Sequence, residues 1–177
     1  MSITTKTGDD GSTDLWSGER VLKDDLRIEV CGEIDELSSL LGFACLAVRL
    51  RGTSEALRTL QRDLVRMGGE IASGEPAFSD PIQSWDEEGL TEKIHAIESR
   101  IPLRGFVLPG MTEGSARIDL ARTAARRLER RVVSLARARA SDAPVSDILR
   151  RYINRLSDYL FMLARDEESA EGKIEYA

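Results

Sequence analysis

The chain has 177 residues, enough for one domain with a proper core and too few to suggest two. Hydrophobic residues make up 41%, aromatics only 5% and charged residues 32%, a mix that suits a helical bundle built on Leu, Ala, Ile and Val. A net charge of −6 argues against general binding to nucleic acid or to an anionic membrane.

Residues 3–23 are rich in Gly, Thr and Asp and carry no helical period, so they read as a loop. Gly8 and Gly11 let backbone N–H groups converge on an anion, and Thr7, Ser12 and Thr13 add hydroxyl donors. The Gly-Lys-Ser/Thr ending of a Walker A loop is absent. From Asp24 or Asp25, either of which can cap, a helix is predicted to about Leu50 along the stripe Leu26, Val30, Ile34, Leu37, Leu41, Ala44 and Val48. Asp35 and Glu36 sit beside that stripe. Cys31 and Cys45 share this helix, about 21 Å apart at 1.5 Å rise per residue, so no intrachain disulfide can join them. Reduced thiols, and the lack of a signal peptide, transit peptide or membrane-spanning apolar run, imply a cytoplasmic protein.

A second helix, capped by Thr53 or Ser54, carries Leu57, Leu60, Leu64, Met67 and Ile71. Residues 74–85 form a loop with Gly74, Pro76 and Pro81, and a third helix follows over about Asp86–Arg100. Pro102 to Gly114 is irregular. The next helix holds Leu120, Ala124, Leu128, Val132 and Leu135 on one stripe. From Arg117 to Arg139 it has eight arginines against two acids, Asp119 and Glu129. Arg122, Arg126 and Arg130 step by four along one face, and Glu129 lies three residues from Arg126, close enough to orient it. A row of guanidinium forks on a rigid helix suits a polyanion such as a triphosphate. Taken alone, it also reads as a solvated basic face. After a break near Ser141–Pro144, a last helix over about Val145–Arg165 buries Ile148, Tyr152, Leu156, Tyr159, Leu160 and Leu163. The acidic tail Asp166–Ala177 is expected to fray.

Five helices, no convincing strand and no internal repeat make an all-α fold, a five-helix bundle with ferritin-like up-down packing and an ordered N-terminal phosphate-binding loop. The expected organisation is a single domain over 1–177, with the loop at 1–23, the bundle at 24–165 and the tail at 166–177. Glu92 and His95 form one Glu-x-x-His, but a di-iron bundle needs two and the chain has a single histidine. No metal ligands are assigned. The lone His95, read as a surface or half-buried structural residue, also excludes His-rich zinc sites and makes a Ser-His-Asp triad unfavoured.

Three N-terminal stretches, Thr5–Leu15, Gly18–Asp25 and Gly32–Ser38, carry a resemblance that continues through Phe106–Gly110, Ala121–Arg131 and Tyr152–Phe161. Together and in this order they resemble the PduO-type ATP:cob(I)alamin adenosyltransferases, from about Thr4 to Arg165. The resemblance implies a homotrimer with active sites between subunits. It implies transfer of the 5′-deoxyadenosyl group of ATP to the cobalt of cob(I)alamin, giving adenosylcobalamin and triphosphate, with Mg²⁺. Cob(I)alamin is itself the nucleophile, so the protein must position C5′ in line with cobalt and neutralise the departing triphosphate.

Carried over by residue, Thr5, Lys6, Thr7, Gly8, Asp9, Gly11, Ser12 and Thr13 would wrap the triphosphate with Lys23 beside it. Arg126 would contact the phosphates. Arg127, Glu129, Arg130 and Arg131 would build much of the ATP site with Asn154. Asp35 would pair with Arg122 of a neighbouring subunit, Asp158 would help position the final helix, and Phe106 would close the lower face of the corrin. Outside this motif context Phe106 reads equally as a core aromatic, Asp35 and Asp158 as surface carboxylates, and Lys6 as a solvated lysine. Asp10, Trp16-Ser17, Met111 and Asp119 depart from the usual pattern, more on the corrinoid side than on the ATP side. A reductase and an adenosylcobalamin-dependent enzyme are implied partners. Two other readings stand beside the transferase: a weakly catalytic paralogue that carries ATP or adenosylcobalamin as a chaperone, and a nucleic-acid-binding or structural bundle using the arginine helix.

Overall fold

The computed structural model describes Thr4, 6–73, 77–139 and 145–177. Thr5, Gly74, Pro76 and the Ser141–Pro144 break lie outside the described residues. Two short antiparallel strands, β1 (Ser12–Asp14) and β2 (Arg20–Leu22), precede five helices: α1 (Leu26–Cys45), α2 (Arg51–Ala72), α3 (Ser84–Glu98), α4 (Glu113–Ala138) and α5 (Asp147–Ala170). The five helices are those of the expected all-α bundle, and the short strand pair is added to it. Ser12 faces Leu22 and Asp14 faces Arg20 in its register, so the glycine loop is part of a small hairpin.

α1 packs between α2 and α4, and α5 packs between α4 and α3. Asp25 caps α1 by accepting from the Arg27 amide, and the stripe Val30, Ile34, Leu37, Leu41 and Ala44 is buried against its neighbours. The helix ends at Cys45, five residues short of the expected Leu50, in a tight turn to α2. α2 buries all five expected apolar positions but starts at Arg51, ahead of Thr53. Its N-terminus has no side-chain cap of its own. Instead, the buried Glu167 of α5 accepts from the amides of Arg49 (2.8 Å) and Leu50 (3.0 Å). A carboxylate at a helix N-terminus stabilises it by roughly 1–2 kcal/mol when partly buried.

α4 begins with a reciprocal cap between Thr112 and Ser115. Its core stripe is Ile118, Ala121, Ala124, Ala125, Leu128, Val132 and Leu135, while Leu120 is exposed. Leu120 was expected inside. The period that buries 121, 125, 128 and 132 turns it outward. The tail also differs from expectation: α5 runs on to Ala170, five residues past Arg165, with Arg165, Glu167 and Glu168 all buried. Beyond it the chain turns back at Gly172 (φ +65°). The Leu108 amide donates to Glu175 O and the Ala177 amide to Phe106 O, each at 2.9 Å, around a bridge between Val107 and Tyr176. The C-terminus is zipped to the irregular stretch before α4.

Candidate nucleotide and corrinoid site

The N-terminal loop is shaped by its own short hydrogen bonds. Lys6 and Gly11 both take left-handed backbone conformations (φ 60° and 85°), folding the turn between them. Asp10 accepts from the Ser12 amide (2.9 Å) and the Ser12 hydroxyl (2.6 Å), and these bonds, with Arg20 nearby, hold its carboxyl down to about 2. The Ser12 hydroxyl, expected as a phosphate donor, is thereby committed to Asp10. Arg20 pairs with Asp14 (3.1 Å) and donates to the Thr7 carbonyl, tying β2 to the loop. A Cβ on Gly8 would lie 3.0 Å from the backbone Ser12 O and 3.2 Å from Lys23 Nζ, so the tight turn onto Ser12 favours glycine there. Lys6, Thr7, Gly8, Asp9, Thr13, Arg20 and Lys23 line an open cavity of about 610 Å³. Lys6, Arg20 and Lys23 gather three cations around this cavity, beside Asp9 and Asp14, and cations so gathered can take an anion.

Five arginines in the middle of α4 divide into two sets. Arg127 pairs with Glu33 (2.7 Å) and with Glu36, and Arg131 lies 3.4 Å from Glu29, so these two fasten α4 to α1. That pairing raises the affinity of Arg127 for its proton. Arg122, Arg126 and Arg130 lie on the other side. Arg130 donates to the Arg126 carbonyl (2.9 Å). Among the described residues the exposed Arg126 guanidinium has no carboxylate partner. Glu129, expected to orient it, instead accepts from Asn154 Nδ2 (2.9 Å). Asn154 Oδ1 in turn accepts from Arg155 (2.6 Å), which lies 3.2 Å from Asp158.

Two adjoining cavities result. One, of about 650 Å³, is lined by Glu129 and Asn154 together with Thr91, Arg150, Arg151 and Arg155. The other, of about 330 Å³, is lined by Arg122, Arg126, Arg155, Asp158 and Phe161, with His95 at its edge. Thr91 and Arg155 belong to both. The structure therefore brings Arg126, Glu129, Asn154 and Asp158 together. It does not bring the N-terminal loop to them. Glu19 of the hairpin holds Arg27 (2.7 Å) and shares a cavity with Arg139, thirteen residues along α4 from Arg126, or about 20 Å at 1.5 Å per residue.

Arg122 and Asp35 are also apart from one another. Arg122 Nε donates to Asp119 on its own helix (2.9 Å), which leaves its Nη groups for another acceptor. Asp35 is exposed on α1. Burial, and after it the Asp35 charge, pushes the Cys31 thiol up. Phe106 is 90% exposed, which removes the core-aromatic reading within the single chain. Arg20, Arg165 and Glu168 are not singled out by the sequence, and Asp119 stands out there only as one of two acids among arginines and as a departure from the family pattern. Arg165 and Glu168 are spaced i, i+3 on the core side of α5, a pairing signal; the reach of Arg20 depends on a hairpin with no sequence cue.

A five-helix bundle with an unpaired arginine beside a hydrogen-bonded acid–amide pair, plus a separate cationic loop, defines a helical protein able to bind polyphosphate. A family model described as cobalamin adenosyltransferase matches residues 3–167, and the chain belongs to that family. It is 39% identical over 171 residues to a corrinoid adenosyltransferase of Citrobacter freundii, covering 94% of this chain and 95% of that protein. It is 40% identical over 177 residues to the corrinoid adenosyltransferase PduO of Salmonella typhimurium, covering 96% of this chain but half (50%) of that longer protein. Its fold is similar to a variant PduO-type ATP:corrinoid adenosyltransferase from Lactobacillus reuteri complexed with cobalamin and ATP, with a TM-score of 0.90, 29% identity and 99% of both chains covered. Another variant of that enzyme, complexed with ATP, aligns with a TM-score of 0.86 at 32% identity over 96% of each chain.

Proposed function

We propose that the protein transfers the 5′-deoxyadenosyl group of ATP to cob(I)alamin, as a homotrimer whose sites lie between subunits. One observation carries this reading beyond family membership. The two cationic groups suited to triphosphate, Lys6–Arg20–Lys23 and Arg126, lie apart in one chain, while Arg126 remains unpaired. A site assembled between neighbouring chains would let one triphosphate meet both. In the reaction the Co(I) electron pair forms the Co–C5′ bond as the C5′–O bond breaks, and the triphosphate leaves with that bond's electrons. Arg126 would stabilise the charge that develops there, while Lys6 and Lys23 would hold the triphosphate throughout. The Glu129–Asn154 pair would seat the nucleoside end beside them, and Gly8 would let the loop backbone approach. Asp35 would meet the free Nη groups of Arg122 on a neighbouring subunit, and the exposed Phe106 would cover the lower face of the corrin, keeping water or a base off cobalt.

Among the described residues no group of three or more His, Cys, Asp or Glu side chains is placed to hold a metal ion. That suits Mg²⁺ that arrives bound to triphosphate oxygens, as Mg²⁺ keeps few protein ligands in nucleotide sites. No described helix is long and apolar enough to cross a membrane. A cytoplasmic setting, with a reductase supplying Co(I) and a cobalamin-dependent enzyme receiving the product, completes the reading. The named relatives support the transferase over a carrier that binds without turnover.

The test is anaerobic incubation with reduced cobalamin and ATP–Mg²⁺, following the absorbance change of Co–C bond formation. Retention of cofactor without that change would replace the transferase by the carrier. For assembly, light scattering at micromolar protein should give three times the chain mass, and Arg122→Ala should reduce that mass and the activity together. A monomer mass in the wild type sinks the trimer.

A further inference from the structure

Four charged side chains form a continuous chain through the interior between α4 and α5. Asp119 Oδ1 accepts from Arg122 Nε at 2.9 Å, and its Oδ2 accepts from Arg165 Nη2 at 2.6 Å. The same Nη2 donates to Glu168 Oε1 at 2.9 Å, and that oxygen also accepts the Met111 amide at 3.2 Å. Arg165 is 1% exposed and Glu168 0%. Arg165 Nε also sits 2.7 Å from Glu168 Oε2, but neither atom has a hydrogen-bonded partner, so this second contact is an ion pair without hydrogen-bond alignment. Phe161 presents its ring to both guanidinium groups, 5.0 Å from Arg165 and 5.9 Å from Arg122.

Buried charges in alternating order cost desolvation, and apolar side chains would fill the same space at least as stably. What the ions supply is direction. One end holds the Nε edge of the half-buried Arg122 and leaves its Nη groups for another acceptor. The other end holds the amide that follows Gly110 (φ +90°), at the close of the stretch carrying Phe106. Arg165 is the hinge pin, since one nitrogen serves both acids.

Resting on the transferase reading above, we infer that Asp119 and Glu168 act through Arg165 as positioning residues, setting Arg122 and the Phe106 stretch relative to each other on the corrinoid side of the site. They touch neither substrate. Their effect falls on corrinoid and not on ATP, because Arg126, Glu129 and Asn154 share no hydrogen bond with the network.

Asp119→Asn keeps the shape but removes one acceptor, and Glu168→Gln is a second variant that loosens the other end, so failure of one to fold leaves the other to decide. In Glu168→Gln, backbone exchange across residues 106–112 should rise about tenfold or more over wild type, with residues 6–23 unchanged. In Asp119→Asn, the KM for cob(I)alamin should rise at least tenfold while the KM for ATP stays within twofold. Rescue to near wild-type corrinoid KM is not expected from added ATP. Both KM values rising in step with a lowered Tm, or no change in either exchange or corrinoid KM, overturns the inference and leaves a purely structural ion cluster. A wild type that forms no Co–C bond overturns the transferase reading instead, and the exchange arm still decides whether Glu168 holds the Phe106 stretch.

Discussion

The N-terminal loop, with Lys6, Arg20 and Lys23, and the arginine face of α4 both offer cations to a ligand, and they are held in opposite ways. The loop is exposed and takes its shape from local bonds two to thirteen residues apart, such as Ser12 to Asp10 and Arg20 to Thr7. The α4 face is carried on a 26-residue helix whose other side is buried, and fastened to α1 through Arg127 and Arg131. A rigid helix can aim a charge at a transition state without moving, while a turn with left-handed residues can wrap a ligand whose shape varies. Arg126 is therefore expected to act on the rate, and the loop on ATP affinity.

The largest effect that separates the two regions is Arg126→Ala. Losing a charge-assisted contact that strengthens as the C5′–O bond breaks should lower kcat about 10²–10³-fold. The loss should persist at saturating ATP, and because the side chain is exposed and unpaired, Tm should hardly change. Steady-state kinetics over both substrates checks this. A defect that saturating ATP repairs would make Arg126 a binding residue like those of the loop, and the contrast would fail.

A smaller effect comes from the loop. In Gly8→Ala the new Cβ would meet Ser12 O at 3.0 Å and Lys23 Nζ at 3.2 Å. The lysine tip can swing away while the backbone oxygen cannot, so the turn must shift by a few tenths of an ångström. ATP KM should rise several-fold with kcat within about twofold, as expected for a group that binds ground and transition states alike. A kcat loss matching that of Arg126→Ala would place the loop in the chemical step.

What the sequence discloses differs between these regions for the same physical reason. Helical period exposes the stripe through Leu128 and Val132, because a buried face repeats every three or four residues, and it shows that Arg122, Arg126 and Arg130 share a side. It does not show their partners. The pairing of Glu129 with Asn154, and of Asp119 with Arg165, depends on how α5 lies against α4. In the loop, Gly8 and Gly11 are visible as punctuation, but the hairpin that brings Arg20 to Asp14 and Thr7 is not, since three-residue strands carry no period. The tail misled for a third reason. Its acids look solvated by composition, yet Glu167 is spent on the amides that start α2 and Glu168 on Arg165 and Met111.

The smallest predicted effect tests whether the loop really is held by its own short bonds. Asp10 is surface-exposed, and its carboxyl lies near 2 instead of the usual 3.8, chiefly because the Ser12 hydroxyl and amide both donate to the ionised form. A carboxylate depressed in the folded loop favours that fold above about 3.8, and the favour disappears as pH falls through about 2. Exposure keeps the effect local, so global unfolding should not follow this window. The Ser12 amide resonance should titrate with a midpoint near 2 in the wild type, and that transition should vanish in Asp10→Asn, which cannot change charge. At neutral pH the same variant should raise ATP KM no more than about twofold, because an amide oxygen can still accept from the Ser12 amide. A wild-type midpoint at the ordinary carboxylate value would mean that the Ser12 bonds do not persist in solution. The loop would then take its shape only around a bound triphosphate, and the line drawn between a pre-aimed helix and a self-shaped turn would have to be redrawn.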